Sequence, residues 1–370
     1  MPKKIKNVFY QNLTFEKMLQ AHHRARKHKG YKNELIKFEF NLENNLINII
    51  QNIENKTYRL GKYFTFKVYE PKERNIQALP YRDRIVHQWY IEEFVKPYIT
   101  PKFISTTYAC LTDKGTHKAV QNVQHHMQMM KRNQGNFWIL KCDIKKFFYS
   151  IHPYTLFQIL KRYIADKDLL FLTQILIFNG PVNQNTVGIP IGNYTSQFFA
   201  NIYLNELDQY VKRELKIKYY TRYMDDFILI LPTKKDCIEI KKKIEIYLAD
   251  HLRLELNDKS RYYPDKMGVN FCGYRIFPTH RLLRTNSKKK IKKKVKKWNK
   301  QYENHTLDLL YASQCLNSWL GHARHCNSYR LQEKIIQQCK FITCPNDLSL
   351  TVNQLLEDIE IYEKKEVSPF

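Results

Sequence analysis

YYTRYMDDFILILP, residues 219–232, sets two adjacent acids inside an apolar run of strand-forming residues. The run predicts strand, tight turn and strand, with Asp225 and Asp226 on the turn. Carboxylates are costly to desolvate, so acids at the ends or turns of buried strands need a cation or a hydrogen-bond network. A second apolar run, FWILKCDI at 137–144, reads as another buried strand and ends on a third acid, Asp143. Neighbouring strands would converge all three carboxylates on one pocket. Acids packed so closely repel one another and make good ligands for hard divalent cations such as Mg²⁺. Two such ions about 3.5–4 Å apart can activate an attacking hydroxyl and stabilise the leaving oxygen of an in-line phosphoryl displacement. The competing reading makes Asp225 and Asp226 ordinary turn residues.

Periodicity around these runs places helices and a small sheet. Residues 12–60 read as helical, with Leu35, Phe38, Leu42, Leu46 and Ile50 at helical spacing, while 63–69 alternates as a strand and 85–95 returns to helix. Helical patterns follow at 154–178, 194–216 and 234–250, and a strand at 268–277. That order fits an α+β fold, an antiparallel-rich sheet with helices on one face. No internal repeat or Gly/Ser linker interrupts the chain and glycine numbers ten, so tightly joined lobes are expected.

Lysine and arginine number 62 against 35 acids, a formal charge of +27. Charge of that size repels itself unless a polyanion neutralises it, and nucleic acid is the first candidate. An AT-rich genome would enrich lysine too, but it does not explain the shortage of acids. With 43% hydrophobic residues and 14% aromatics the chain can build a real core, which excludes a disordered polypeptide. Eight scattered cysteines without a CxxC pair suit a reducing cytosol. No apolar run approaches the ~20 residues of a membrane span, and the N-terminus lacks the apolar segment of a signal peptide. A cytoplasmic protein without a membrane partner is expected.

The segment SKKKIKKKVKKWNKQYENH (287–305) puts Ile291, Val295, Trp298 and Tyr302 on one helical stripe. Lysines occupy the other faces, among them Lys289, Lys293, Lys296 and Lys297, so the helix can pack and also grip phosphates. A merely solvated face is the plain alternative. His322, His325 and Cys326, with Cys315, invite a zinc reading, but their spacing matches no standard zinc module. His125 and His126 lie in a polar helical stretch where solvation or packing is the default.

Tyr223–Asp226 resembles the YxDD box of reverse transcriptases, DIKKFF (143–148) their first catalytic motif, and GIPIGNYTSQFFANIYLNELD (188–208) the motif beneath primer and incoming nucleotide. PKERNIQALPYRDRIVHQ (71–88) is similar to their fingers, LELNDKSR (254–261) to a following palm motif, NFCGYRIF (270–277) to the primer grip and NSWLGHARHCNSYRL (317–331) to the thumb. The resemblance covers nearly the whole chain. It implies a right-hand polymerase: fingers over 1–136 with an insertion at 154–186, an RRM-like palm sheet backed by helices over 137–153 and 187–279, and a helical, basic thumb over 280–370. Asp143, Asp225 and Asp226 become the catalytic acids, joined by Ile144 as ligands to two Mg²⁺ ions, with Mn²⁺ as an alternative. Phe148, five residues after Asp143, takes the steric-gate position that excludes a 2′-hydroxyl and selects dNTPs; a plain core phenylalanine is its competing reading. Phe147, Ile191 and Gly192 line the same nucleotide site. Arg74 and Lys72 match residues that hold the triphosphate, which suits a bidentate guanidinium and a point-charge ammonium. Lys259 matches a lysine proposed to protonate the pyrophosphate leaving group. For these three cations a solvated surface position is the rival. Phe271, Cys272, Gly273 and Tyr274 form the implied primer grip.

One departure from the family pattern is informative. Most members carry Gln-Gly and then Ser-Pro beneath the nucleotide, whereas this chain has Ile191-Gly192 and then Ser196-Gln197. Isoleucine can neither donate nor accept a hydrogen bond, so recognition there must rest on shape. The form resembles reverse transcriptases of diversity-generating retroelements, which copy a template-repeat RNA and misincorporate opposite adenine. Fidelity would then depend on Ile191, Ser196 and Gln197. The implied partners are template RNA, the RNA/DNA hybrid, dNTPs and a small basic accessory protein, in a bacterial or phage-encoded system. A group II intron or retron enzyme stays open, as do an idle RNA-binding protein on the same fold and an RNA-dependent RNA polymerase; Phe148 and the Met-Asp-Asp turn disfavour the last.

Overall fold

The computed structural model describes residues 4–69, 73–178 and 187–342. Four helices, α1 (Phe9–Asn12), α2 (Phe15–Arg26), α3 (Asn33–Glu39) and α4 (Leu42–Glu54), precede a hairpin of β1 (Phe64–Val68) and β2 (Arg74–Ala78). Next, α5 (Tyr81–Tyr90) runs through a π-helical turn, Ile91–Val95, into α6 (Lys96–Tyr98), and α7 (Thr116–Gln134) leads to β3 (Trp138–Asp143). After α8 (Phe147–Ser150), α9 (Pro153–Tyr163) and α10 (Lys167–Phe178), α11 (Tyr194–Gln209) ends in a second π turn, Tyr210–Glu214. Then come β4 (Tyr220–Tyr223), β5 (Asp226–Leu231), α12 (Lys234–Leu252), β6 (Arg261–Pro264), β7 (Val269–Phe271), β8 (Tyr274–Ile276) and β9 (Arg281–Leu283). Three helices close the described chain, α13 (Thr285–Glu303), α14 (Leu309–Ala323) and α15 (Tyr329–Gln337). The mixed helix-and-sheet expectation holds.

Contacts divide the chain into two compact units, one holding residues up to 119 together with 140–262, the other 120–139 together with the residues from 263 on. In the first unit α11 packs on α5, α9 and α12. It is buried nearly all round, with Phe198, Phe199, Ile202 and Tyr203 at most 2% exposed, and its buried polar residues Asn201, Asn205 and Asp208 are hydrogen-bonded. The central sheet runs β4-β5-β3-β6. Helix α12, opened by a capping box between Thr233 and Asp236, packs against the sheet's strand β5. The N-terminus is fastened by Asp166, whose carboxylate accepts from the backbone N–H groups of Val8, Phe9 and Leu169.

In the second unit Ile291, Val295 and Trp298 of α13 pack with Leu316 and Leu320 of α14 and Ile335 and Ile336 of α15. Tyr302, expected on the same stripe, is instead 42% exposed, with its ring at the rim of the cluster 6.4 Å from Phe341. The single strand expected over 268–277 is also corrected. It is the hairpin β7–β8, turned at Cys272 and Gly273 with φ of 43° and 91°. Two central residues at positive φ match the right-handed strand twist, and a glycine makes the second inexpensive.

Candidate active site

Strands β4 and β5 pair antiparallel with Tyr223 opposite Asp226, so Met224 and Asp225 form a two-residue turn. Met224 sits at φ 56°, a left-handed conformation that disfavours a residue with a Cβ. A buried network holds it there. Arg222, the only charged residue of β4, donates from Nη1 to the Met224 carbonyl at 2.9 Å and to Asn201 Oδ1 at 3.0 Å. Its Nε and Nη2 grip both oxygens of Asp208 at 2.7 and 2.6 Å. Tyr220 Oη and Thr107 Oγ1 complete the carboxylate's shell at 2.7 and 2.8 Å. Arg222 and Asp208 are both fully buried, and only such complete pairing makes two buried charges tolerable.

Asp226 opens β5 and Asp143 ends β3, the next strand of the sheet. Burial pushes the Asp225 carboxyl up, the charge of Asp143 adds to the shift, and Arg74 and Arg222 pull it back. Burial pushes the Asp226 carboxyl up to about 7 against the pull of Lys141, with Asp143 and Asp225 raising it further. Lys141 Nζ lies 3.1 Å from Asp226 Oδ2, while Asp226 Oδ1 is buried with no hydrogen-bond partner among the described residues. The donors are hard oxygens whose mutual repulsion a divalent cation would relieve, so the chemistry of the set fits Mg²⁺. The fit is one of donors rather than of a finished cage. Among the described residues no three His, Cys, Asp or Glu side chains stand ready to hold a metal ion, and Asp226 is paired with Lys141.

The loop at 188–192 is tied down on two sides. Gly188 N donates to Ile151 O at 2.7 Å and Ile189 N to Phe148 O at 2.8 Å, while Ile191 O accepts from Gln77 N on β2 at 2.8 Å. Gly192 has φ 134°, and a Cβ there would fall 2.6 Å from Gln77 O, so a side chain would push the β1–β2 hairpin off the loop. Asn193 adds a bond to Tyr63 Oη at 2.8 Å. The hairpin thus carries Arg74, which is exposed and acts on the Asp225 carboxyl. Lys72 lies outside the described residues. Of the phenylalanine pair, Phe147 is a core residue at 2% exposure, whereas Phe148 is half-buried, its ring edge-on to Phe147 at 5.6 Å. Ile144 is buried beside Asp143, Ser196 is buried on α11, and Ile191 is half-buried. Gln197 and Lys259 are exposed.

In the second unit Phe271 and Tyr274 point into the core at 0% exposure, and Tyr274 Oη donates to His322 O at 2.8 Å. Cys272 and Gly273 form the turn between them, Gly273 close against the His322 ring. His322 is thereby engaged in packing. Lys289, Lys293, Lys296 and Lys297 are all exposed on α13.

Motif reading passed over Arg222, Asp208, Asn201, Lys141, Asn257 and Ser260. Arg222 left a signal, a cation in the middle of a strand predicted to be buried, though its partner lies fourteen residues back on α11.

A family model described as reverse transcriptase (RNA-dependent DNA polymerase) matches residues 70–276, more than half of the chain. The chain belongs to the reverse transcriptase family. It is an RNA-directed DNA polymerase by that membership, and the matched span holds all three acids. YkfC of Escherichia coli K12 is 27% identical to this reverse transcriptase, over 60% of the chain and 67% of YkfC. The group II intron-encoded protein LtrA of Lactococcus lactis is 22% identical over 63% of the chain and 50% of LtrA. The retron Ec83 reverse transcriptase of Escherichia coli is 32% identical over 26% of the chain and 33% of that enzyme. The chain thus spans a third to two thirds of the length of these relatives. Among its described residues no helix is long and apolar enough to cross a membrane.

Proposed function

We propose that this reverse transcriptase copies a template-repeat RNA into cDNA and is error-prone at template adenines, as diversity-generating retroelements require. The observation that carries the reading is Ile191, an aliphatic side chain beneath the expected nucleotide, held by the Gln77–Ile191 backbone bond where an amide could otherwise contact the templating pair. The primer 3′-hydroxyl attacks the α-phosphorus of a dNTP, the bond to the β-phosphate oxygen breaks, and diphosphate leaves. Asp143, Asp225 and Asp226, with the Ile144 carbonyl, would hold two Mg²⁺ ions that lower the hydroxyl's pKa and offset charge on the phosphate. Arg74 and Lys72 orient the triphosphate, Phe148 excludes a 2′-hydroxyl, and Lys259 gives a proton to the departing diphosphate. Fingers (1–136 and 154–186), palm (137–153 and 187–279) and thumb (280–370) supply the surfaces, with the α13 lysines on the hybrid backbone. The thumb and N-terminal helices are the docking surfaces for a small basic accessory protein.

Likeness to LtrA and to the retron Ec83 enzyme favours a second reading, an intron or retron enzyme of ordinary accuracy. The test is Mg²⁺-dependent primer extension on an adenine-containing RNA with dNTPs, sequencing the cDNA, beside Asp225→Asn. Errors concentrated at template adenines, reduced by Ile191→Gln and absent with the silent Asp225 variant, support the first reading. Accurate cDNA supports the second, and extension that survives Asp225→Asn overturns the site itself.

A further inference from the structure

Asp143 is the last residue of β3, and beyond it the chain pairs with the segment after α12. Lys145 N donates to Glu255 O at 3.0 Å, Asn257 N donates to Asp143 O at 2.7 Å, and Ile144 bridges Leu256. The turn at 257–260 then closes around the acid. Ser260 is buried, and its Oγ accepts from Asp143 N at 3.2 Å and lies 3.3 Å from Asp143 O. Asn257 Nδ2 donates to Asp143 Oδ2 at 3.1 Å, and Asn257 Oδ1 accepts from Lys259 N at 3.0 Å. One turn therefore holds the amide, the carbonyl and one carboxylate oxygen of the same aspartate.

We infer that Asn257 is a positioning residue: its amide sets the orientation of the Asp143 carboxylate and joins that carboxylate to the backbone of Lys259. The two bonds over-determine the amide. A flip would set its oxygen against the carboxylate and its NH₂ against the Lys259 N–H, losing both bonds at once. The chemistry of the donor also differs from that at Asp226. Lys141 is a cation and competes for a carboxylate with any metal, whereas an asparagine amide is neutral and orients the carboxylate while leaving its charge intact. Groups that orient metal ligands in this way typically govern affinity and activity by 10–100-fold. Because Oδ1 is spent on Lys259 N, displacing the amide also releases the turn that carries Lys259.

The inference rests on the reading of Asp143 as a metal ligand, and the experiment separates the two. Full-length wild type, Asp143→Asn, Asn257→Ala, Asn257→Ser, Lys259→Ala and the double variant Asn257→Ala/Lys259→Ala are assayed for primer extension over a Mg²⁺ titration. Glu255→Ala, which loosens the same segment through its exposed pair with Lys145, serves as control. The expected result is an unchanged melting temperature, a Mg²⁺ half-saturation raised about tenfold in Asn257→Ala with a fall in kcat and little change in dNTP KM, and normal Mg²⁺ dependence in Glu255→Ala. Asn257→Ser, which keeps a short polar side chain, should fall between. The double variant should lose less than the product of the single losses. Wild-type Mg²⁺ dependence in Asn257→Ala and Asn257→Ser, with Asp143→Asn inactive, overturns the inference and leaves the site standing. Full activity in Asp143→Asn overturns the site.

Discussion

Two hairpins of this chain turn in two residues, and both open on a side-chain-bearing residue at positive φ but support it differently. At Met224–Asp225 a side-chain-bearing residue occupies φ 56°, and the Arg222 guanidinium holds its carbonyl from behind. At Cys272–Gly273 the second residue is a glycine at φ 91°, whose bare Cα lets the His322 ring close over it. The first turn must present carboxylates, so it accepts strain and is braced by a buried ion pair. The second also bears a side chain at positive φ, on Cys272 at 43°, but follows it with a glycine.

The largest effect should come from removing the brace. Arg222→Leu leaves Asp208 buried and uncompensated, and denaturant unfolding should show a loss of about 3–5 kcal/mol. Adding Asp208→Leu should restore part of that stability without restoring primer extension, since nothing then fixes the Met224 carbonyl; recovered extension would show that the turn holds itself. Next comes Gly273→Ala. A Cβ there stands 2.9 Å from His322 Cε1 at a φ that suits only glycine, so thermal unfolding should report a loss of about 2 kcal/mol. A neutral result would mean that the His322 ring moves aside freely. Tyr274→Phe removes the hydroxyl bonded to His322 O at 2.8 Å and should cost about 1 kcal/mol. Smallest of all, Met224→Gly should change stability by no more than about 0.5 kcal/mol, because relief of the left-handed strain offsets the extra freedom of the unfolded chain. Its extension rate should nonetheless fall several-fold. An unchanged rate would reduce the brace to a stability device.

The acids and their strands were legible because a carboxylate pair inside an apolar run is a local contradiction, visible without any partner. The hairpin at 271–274 was not, since Phe271 and Tyr274 read equally well as members of one continuous strand, and only the paired positive φ values reveal the turn. Tyr302 followed the stripe of α13, but periodicity names the face of a helix and not where its partners stop. Asn257 lay within the LELNDKSR stretch but nothing singled it out, for an asparagine in a polar turn becomes informative only when Asp143, more than a hundred residues earlier, is brought against it. Nor could the pattern tell Phe147 from Phe148, adjacent rings of which one fills the core and the other stays half-buried.

The π turn at Ile91–Val95 carries one residue more than an α-helical path would need, and consecutive glutamates use it in different directions. Glu92 takes Lys96 at 2.6 Å and Tyr194 at 3.0 Å, while Glu93 takes Lys17 at 2.7 Å and Arg24 at 3.4 Å. Such bulges are how a helix absorbs an inserted residue without disturbing its later turns. Deleting one residue here would restore regular winding and leave the later turns in register, but the two neighbouring glutamates would lose the local unwinding from which they reach opposite partners, so the extra residue serves the ion pairs and not the path of the helix.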